Sequence, residues 1–155
     1  MSNTLSRREL LARSAAAALG MVAAPGLLDA RAPKTPMVVY KDPGCGCCEK
    51  WVGIMNASGF EVSARNSTGM TAIKQRYGVP DALASCHTAI VGGYVIEGHV
   101  PADLIRKLLK EKTRVKGLAV PGMVTGSPGM EGANKQAYDV VSFDAAGRTT
   151  VYAKR

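Results

Sequence analysis

The chain has 155 residues, 46% of them hydrophobic and 21% charged, which suits one domain built on a single core and leaves no room for a second globular unit. Its formal charge of +8 falls once the first thirty or so residues are set aside, because that stretch carries more arginines than acids. Aromatic residues make up only 5%, and the basic run Arg106 to Lys116 (RKLLKEKTRVK) has no interleaved stacking residues, so nucleic-acid binding is set aside and the run reads as a solvated helix face.

Residues 1–32 read as an export signal, leaving residues 33–155 as the mature domain. Paired arginines in Ser6-Arg7-Arg8-Glu9-Leu10-Leu11 precede a small, weakly apolar run from Ser14 to Ala24, and Ala30-Arg31-Ala32 offers a cleavage site. The pattern resembles a twin-arginine signal, with an ordinary secretory leader or an uncleaved anchor as the alternatives. The apolar run is too short to span a bilayer, so the expectation is a periplasmic protein with no membrane span after leader removal.

Met37 to Tyr40 is a short apolar run ended by Asp42-Pro43-Gly44, which predicts a buried strand and a turn. From Cys47 to Ser58, Trp51, Ile54 and Met55 recur at helical spacing until Gly59 stops the pattern. Phe60 to Ala64 alternates like a strand, and Thr71 to Tyr77 reads as a helix closed by Gly78 and Pro80, with a loop over Asp81 to Ser85. His87–Val91 and Tyr94–Glu97 are strands joined by Gly92-Gly93, a two-residue hairpin signal. Pro101 opens a helix over Ala102–Lys112 with Leu104, Ile105, Leu108 and Leu109 on one face.

The resulting order, β-α-β-α-β-β-α, is that of an α/β thioredoxin-like fold. Beyond Gly117 the stretch from Leu118 to Met130 is rich in Gly and Pro and reads as a structured loop or flap with no regular element. Ala137–Phe143 and Thr149–Ala153 then alternate around Asp144-Ala145-Ala146-Gly147 and predict a hairpin that extends the sheet edge.

The chemistry concentrates in Cys45-Gly46-Cys47-Cys48 and in Cys86-His87. A helix N-terminus offers unsatisfied N–H groups and a partial positive charge, which favours the thiolate that binds metal or attacks disulfides. In the thioredoxin layout the loop entering the third strand packs against this helix start, so Cys86 is expected to face the other three thiols. That loop commonly carries a cis-proline that docks peptides, and here no proline stands at the matching position.

At about 100° per residue, Cys45 and Cys48 share a helix face and Cys47 projects away from it. Such a spread suits bridging thiolates in a polynuclear copper(I) cluster better than one tetrahedral ion. Zinc held by four cysteines, or by three and a histidine, is the alternative metal. A redox-active Cys45/Cys48 dithiol and a pair of structural disulfides stay open as non-metal readings.

His87 is a candidate ligand or a hydrogen-bonding neighbour of one, and Trp51 reads as packing the helix on the sheet. His99, alone in a turn, reads as structural and is left out of the ligand set. Met123 and Met130 read as loop-packing residues, although their thioethers are soft enough to touch copper in transit.

Three stretches together carry a family pattern: Asp42 to Trp51 (DPGCGCCEKW), Ser85 to Thr88 (SCHT) with Gly93 to Pro101 (GYVIEGHVP), and Gly117 to Met123 (GLAVPGM). In them the chain resembles the CopG-like periplasmic copper-resistance family, also known as the DUF411 metal-binding family, over nearly all of residues 33–155. The resemblance implies a thioredoxin-like fold, copper(I) bound by Cys45, Cys47, Cys48 and Cys86, and a part in copper handling or tolerance. Other periplasmic copper-handling proteins are the partners it suggests.

Overall fold

A computed structural model describes residues 33–155; the expected export signal, residues 1–32, lies outside the described residues. The elements are β1 (Thr35–Lys41), α1 (Gly46–Ala57), β2 (Phe60–Asn66), α2 (Met70–Tyr77), a 3-10 turn (Asp81–Leu83), β3 (His87–Val91), β4 (Tyr94–Glu97), α3 (Ala102–Glu111), β5 (Gly117–Ala119), β6 (Asp139–Phe143) and β7 (Thr149–Lys154). The fold is mixed α/β, and through α3 the elements follow the order read from the sequence.

All seven strands join one sheet in the order β2-β1-β3-β4-β5-β6-β7. β1 runs parallel to β2 and antiparallel to β3, while β4 pairs β5 in parallel. Period-two alternation divides the side chains between two apolar layers. Met37, Val39, Ala89, Val91, Ile96 and Leu118 face one cluster, which Trp51 and Met55 of α1 and Leu104, Ile105 and Leu108 of α3 complete. Val95, Ala119 and Phe143 face the other with Val79 and Leu83, and Tyr77 at the end of α2 packs against them.

The glycine pair does what its spacing suggests: Gly92 and Gly93 both take positive φ, 55° and 85°, the two-residue turn that matches strand twist. At the other end of the sheet the hairpin of β6 and β7 extends it beyond β5, as expected. Its turn is fastened by Asp144, whose Oδ1 accepts the N–H groups of Ala146 (2.8 Å) and Arg148 (3.0 Å).

The segment after α3 departs from the sequence reading. Gly117–Ala119 forms a fully buried strand where irregular chain is expected, because its backbone is paired on both sides, by β4 and by β6. Three residues are too few to show a period, and pairing partners distant in sequence override the local Gly/Pro signal. The rest of the loop is hydrogen-bonded to itself: Ser127 Oγ donates to the Val124 carbonyl (2.6 Å), Met130 N–H to the Ser127 carbonyl (2.8 Å) and Gly126 N–H to the Met130 carbonyl (2.7 Å).

Gly117 is where the sheet tolerates no side chain, since a Cβ there would strike the Val95 carbonyl oxygen and the Phe143 ring. Gly117→Ala is therefore expected to destabilise the fold by about 1–3 kcal/mol or to block folding, read as a lowered midpoint in urea denaturation.

Candidate metal centre

The Asp42–Gly44 turn delivers the first cysteine. Asp42 Oδ1 accepts the Gly44 N–H (2.8 Å) and the Asp42 carbonyl accepts the Cys45 N–H (3.1 Å), so the chain leaves β1 and enters α1 through a closed turn. Cys45 is the N-cap, with extended backbone (φ −79°, ψ 91°) and no side-chain cap, and Cys47 and Cys48 occupy the first helical turn. Beneath them Lys41 is buried, its ammonium 2.6 Å from Glu49 and 3.2 Å from the Asp42 carbonyl.

The four sulfurs meet: the Sγ atoms of Cys45, Cys47, Cys48 and Cys86 all lie within 4.8 Å of one another. Cys45 and Cys48 are joined as a disulfide, and Cys47 and Cys86 are free thiols. Cys47 Sγ is 3.5 Å from Cys45 Sγ and 4.0 Å from Cys86 Sγ. The expectation that Cys47 projects away is thus corrected. Cys45 stands outside the helix as its cap, so a helical wheel does not govern where its sulfur goes.

Cys86 is expected to face the cluster, and its surroundings explain why it does. The segment Ser85–His87 enters β3 beside the end of β1, with Lys41 and His87 paired across the two strands. Cys86 Sγ lies 3.4 Å from His87 Nδ1 and 3.0 Å from His99 Nε2. His99 Nδ1 is 2.7 Å from the Pro128 carbonyl, which only accepts, so the proton sits on Nδ1. That leaves the Nε2 lone pair aimed at the Cys86 sulfur, the arrangement in which an outer hydrogen bond orients a ligating imidazole.

His87 and His99 are both fully buried, their rings 5.0 Å apart edge to face, and His87 also lies 4.4 Å from the Trp51 ring. His87 Nε2 is buried without a hydrogen-bond partner. Burial lowers the pKa of both histidines, reinforced at His87 by the neighbouring His99 and by the Lys74 ammonium and opposed at His99 by the Pro128 carbonyl and Glu131. Burial, then the neighbouring Cys47, pushes the Cys86 thiol up to about 12.

Trp51 packs as expected, its indole N–H donating to the Val100 carbonyl (3.0 Å) inside the core. The Gly/Pro loop closes over the helix start: a Cβ on Gly129 would come within 2.9 Å of the Cys47 carbonyl and 3.0 Å of the Trp51 nitrogen. Met123 is 58% exposed just beyond Gly122, and Met130 is half-buried.

His99 is the residue the sequence reading passes over, and a signal for it exists. The hairpin register pairs Val91 with Tyr94 and Thr88 with Glu97. Counting two further steps sets His99 opposite Cys86. The Gly98 N–H bond to the His87 carbonyl (2.9 Å) continues the pairing in that direction.

Residues 83–130 match the family described as "Protein of unknown function, DUF411". Two solved structures, named copper resistance protein CopG in form 2 and form 1, are each 43% identical to the chain and cover 79% of it and 98% of their own length, with TM-scores of 0.75 and 0.74. No curated protein matches. Among the described residues no helix is long and apolar enough to cross a membrane. With that identity sustained over almost the whole of each solved chain, this protein belongs to the CopG copper-resistance family.

Proposed function

We propose that the protein is a periplasmic copper(I)-binding protein that holds its cargo in a cluster of cysteine thiolates and serves copper handling or resistance. The observation that carries this reading is the convergence of four sulfurs with two buried imidazoles beside the fourth. Thiolates are soft donors that select copper(I), and sulfurs this close together suit bridging between several ions. The proposed ligands are Cys45, Cys47, Cys48, Cys86 and His87, and His99 joins them through its Nε2 lone pair. Zinc is the competing cargo, and the copper-resistance names of the two solved relatives favour copper.

The parallel β1–β2 pair, the antiparallel β3–β4 hairpin and the helices between them support a thioredoxin-like reading of residues 35–111. The paired arginines and the small apolar run ahead of Pro33 support export by the twin-arginine route. Other periplasmic copper-handling proteins are the proposed partners.

A second reading is favoured by one observation, the Cys45–Cys48 disulfide. Two electrons and two protons convert it to two thiols, so the same pair serves as a thiol–disulfide couple, and metal uptake depends on its reduction because ligands must be thiolates. Insulin reduction tests it: activity that survives Cys45→Ser removes the dithiol from that role.

Anaerobic copper(I) titration of the fully reduced protein, followed by elemental analysis, is expected to give several equivalents per chain, fewer for the oxidised protein and for Cys86→Ser. A stoichiometry of zero after complete thiol reduction ends the copper reading. His99→Gln is expected to weaken copper binding by about 10- to 100-fold, as loss of a ligand or its orienting partner does elsewhere, measured by competition with a chromophoric chelator.

Copper must displace the proton of the Cys86 thiol, whose pKa burial pushes up to about 12. Uptake at neutral pH is therefore expected to release a proton from this residue, and affinity to rise with pH by up to about tenfold per unit for each proton displaced. An indicator dye in weakly buffered solution reads the release directly.

A further inference from the structure

Behind the sheet, on the face away from the sulfurs, sits a polar network in which Glu97 and Thr88 are buried and Lys74 and Ser85 are partly buried. Glu97, the last residue of β4, has no solvent exposure. Its Oε1 accepts the Lys74 ammonium (2.5 Å) and the Ser85 backbone N–H (2.6 Å), and its Oε2 accepts the Thr88 hydroxyl (2.7 Å). Lys74, from α2, also donates to Thr88 Oγ1 (3.2 Å). Burying a carboxylate here raises its desolvation cost, and apolar residues of similar volume would fill the same space without that penalty. The carboxylate supplies something they do not, a directional grip on the residue before Cys86.

The rest of that segment is held as tightly. Ser85 Oγ donates to the Gly122 carbonyl (2.5 Å), and Gly98 presses so close that a Cβ would come within 2.6 Å of Ser85 Cβ and 2.7 Å of the Val120 carbonyl. Cys86 is thus gripped one residue before it through Ser85 and two residues after it through Thr88, both by one carboxylate on the opposite face of the sheet. We propose that Glu97, anchored by Lys74, is a positioning residue for Cys86, fixing the backbone so that this sulfur meets the other three. Its consequence for metal rests on the copper reading given under Proposed function; the positioning itself does not.

The test uses the Cys47→Ser protein with the Cys45–Cys48 disulfide intact, in which Cys86 is the remaining free thiol. Its alkylation by iodoacetamide at fixed pH is expected to speed up about tenfold in Glu97→Gln, the order of effect of losing a charge-assisted hydrogen bond. Lys74→Met, which leaves the carboxylate in place without its anchor, reads the same quantity from the helix side if Glu97→Gln does not fold. Lys74→Arg restores the cation and is expected to return the rate to within about twofold of the parent, since it keeps the charge that holds the carboxylate.

Val95→Ala loosens the same face of the sheet without touching the network. If it accelerates alkylation as much as Glu97→Gln, or if Glu97→Gln and Lys74→Met leave the rate unchanged, the proposal is overturned. In the parent chain, reduced and titrated with copper(I), Glu97→Gln is expected to lower affinity about tenfold by the same loss. A protein that takes up no copper yet shows the alkylation effect keeps the positioning role and loses the copper one.

Discussion

The structure depends on the laying of β3 antiparallel against β1, with Lys41 opposite His87. The chain that leaves β1 carries Cys45, Cys47 and Cys48, and the chain that enters β3 carries Cys86, so one strand pairing joins sulfurs nearly forty residues apart in sequence. The apolar layer secures that pairing: Val39 lies opposite Ala89, both fully buried beneath Trp51 and Met55. Hydrophobic burial holds the strands together, and it is this that sets the distance between the cysteines.

Around this junction the two imidazoles and Cys48 are buried, while Cys45, Cys47 and Cys86 are half-buried. Burial holds both histidines neutral and Cys86 protonated, so the free site presents lone pairs and an S–H in place of full charges. Cys47 and Cys48 sit in the first turn of α1, whose unsatisfied N–H groups favour negative charge. Lys41 lies beneath the same turn with Glu49 as its partner, so the buried ammonium is compensated before any ligand arrives.

Much of this arrangement is legible in the residues. An apolar run closed by a turn marks β1, alternation marks β2 and the terminal hairpin, the Gly92-Gly93 pair marks the hairpin of β3 and β4, and the cysteine spacing marks the centre. What escaped detection did so for identifiable reasons. β5 is three residues long and owes its existence to neighbours on either side, which no local window contains. The helical wheel misplaces Cys47 because it counts Cys45 as helical, whereas Cys45 caps the helix. His99 looked like a turn residue on its own, and only the hairpin register, carried past the end of β4, sets it beside Cys86. Glu97 and Lys74 gave no signal, because a charged residue ending a strand ordinarily faces water, and their pairing needs α2 folded over the sheet.

His99 owes its tautomer to Pro128, which lies in the irregular segment between β5 and β6. The order of synthesis therefore matters. A nascent chain displays all four thiols well before it has produced the carbonyl that orients this imidazole, and β5 cannot be flanked on both sides until Asp139–Phe143 has emerged. The finished site is a late product of folding, so a partly made chain carries its thiols before the geometry that brings them together exists.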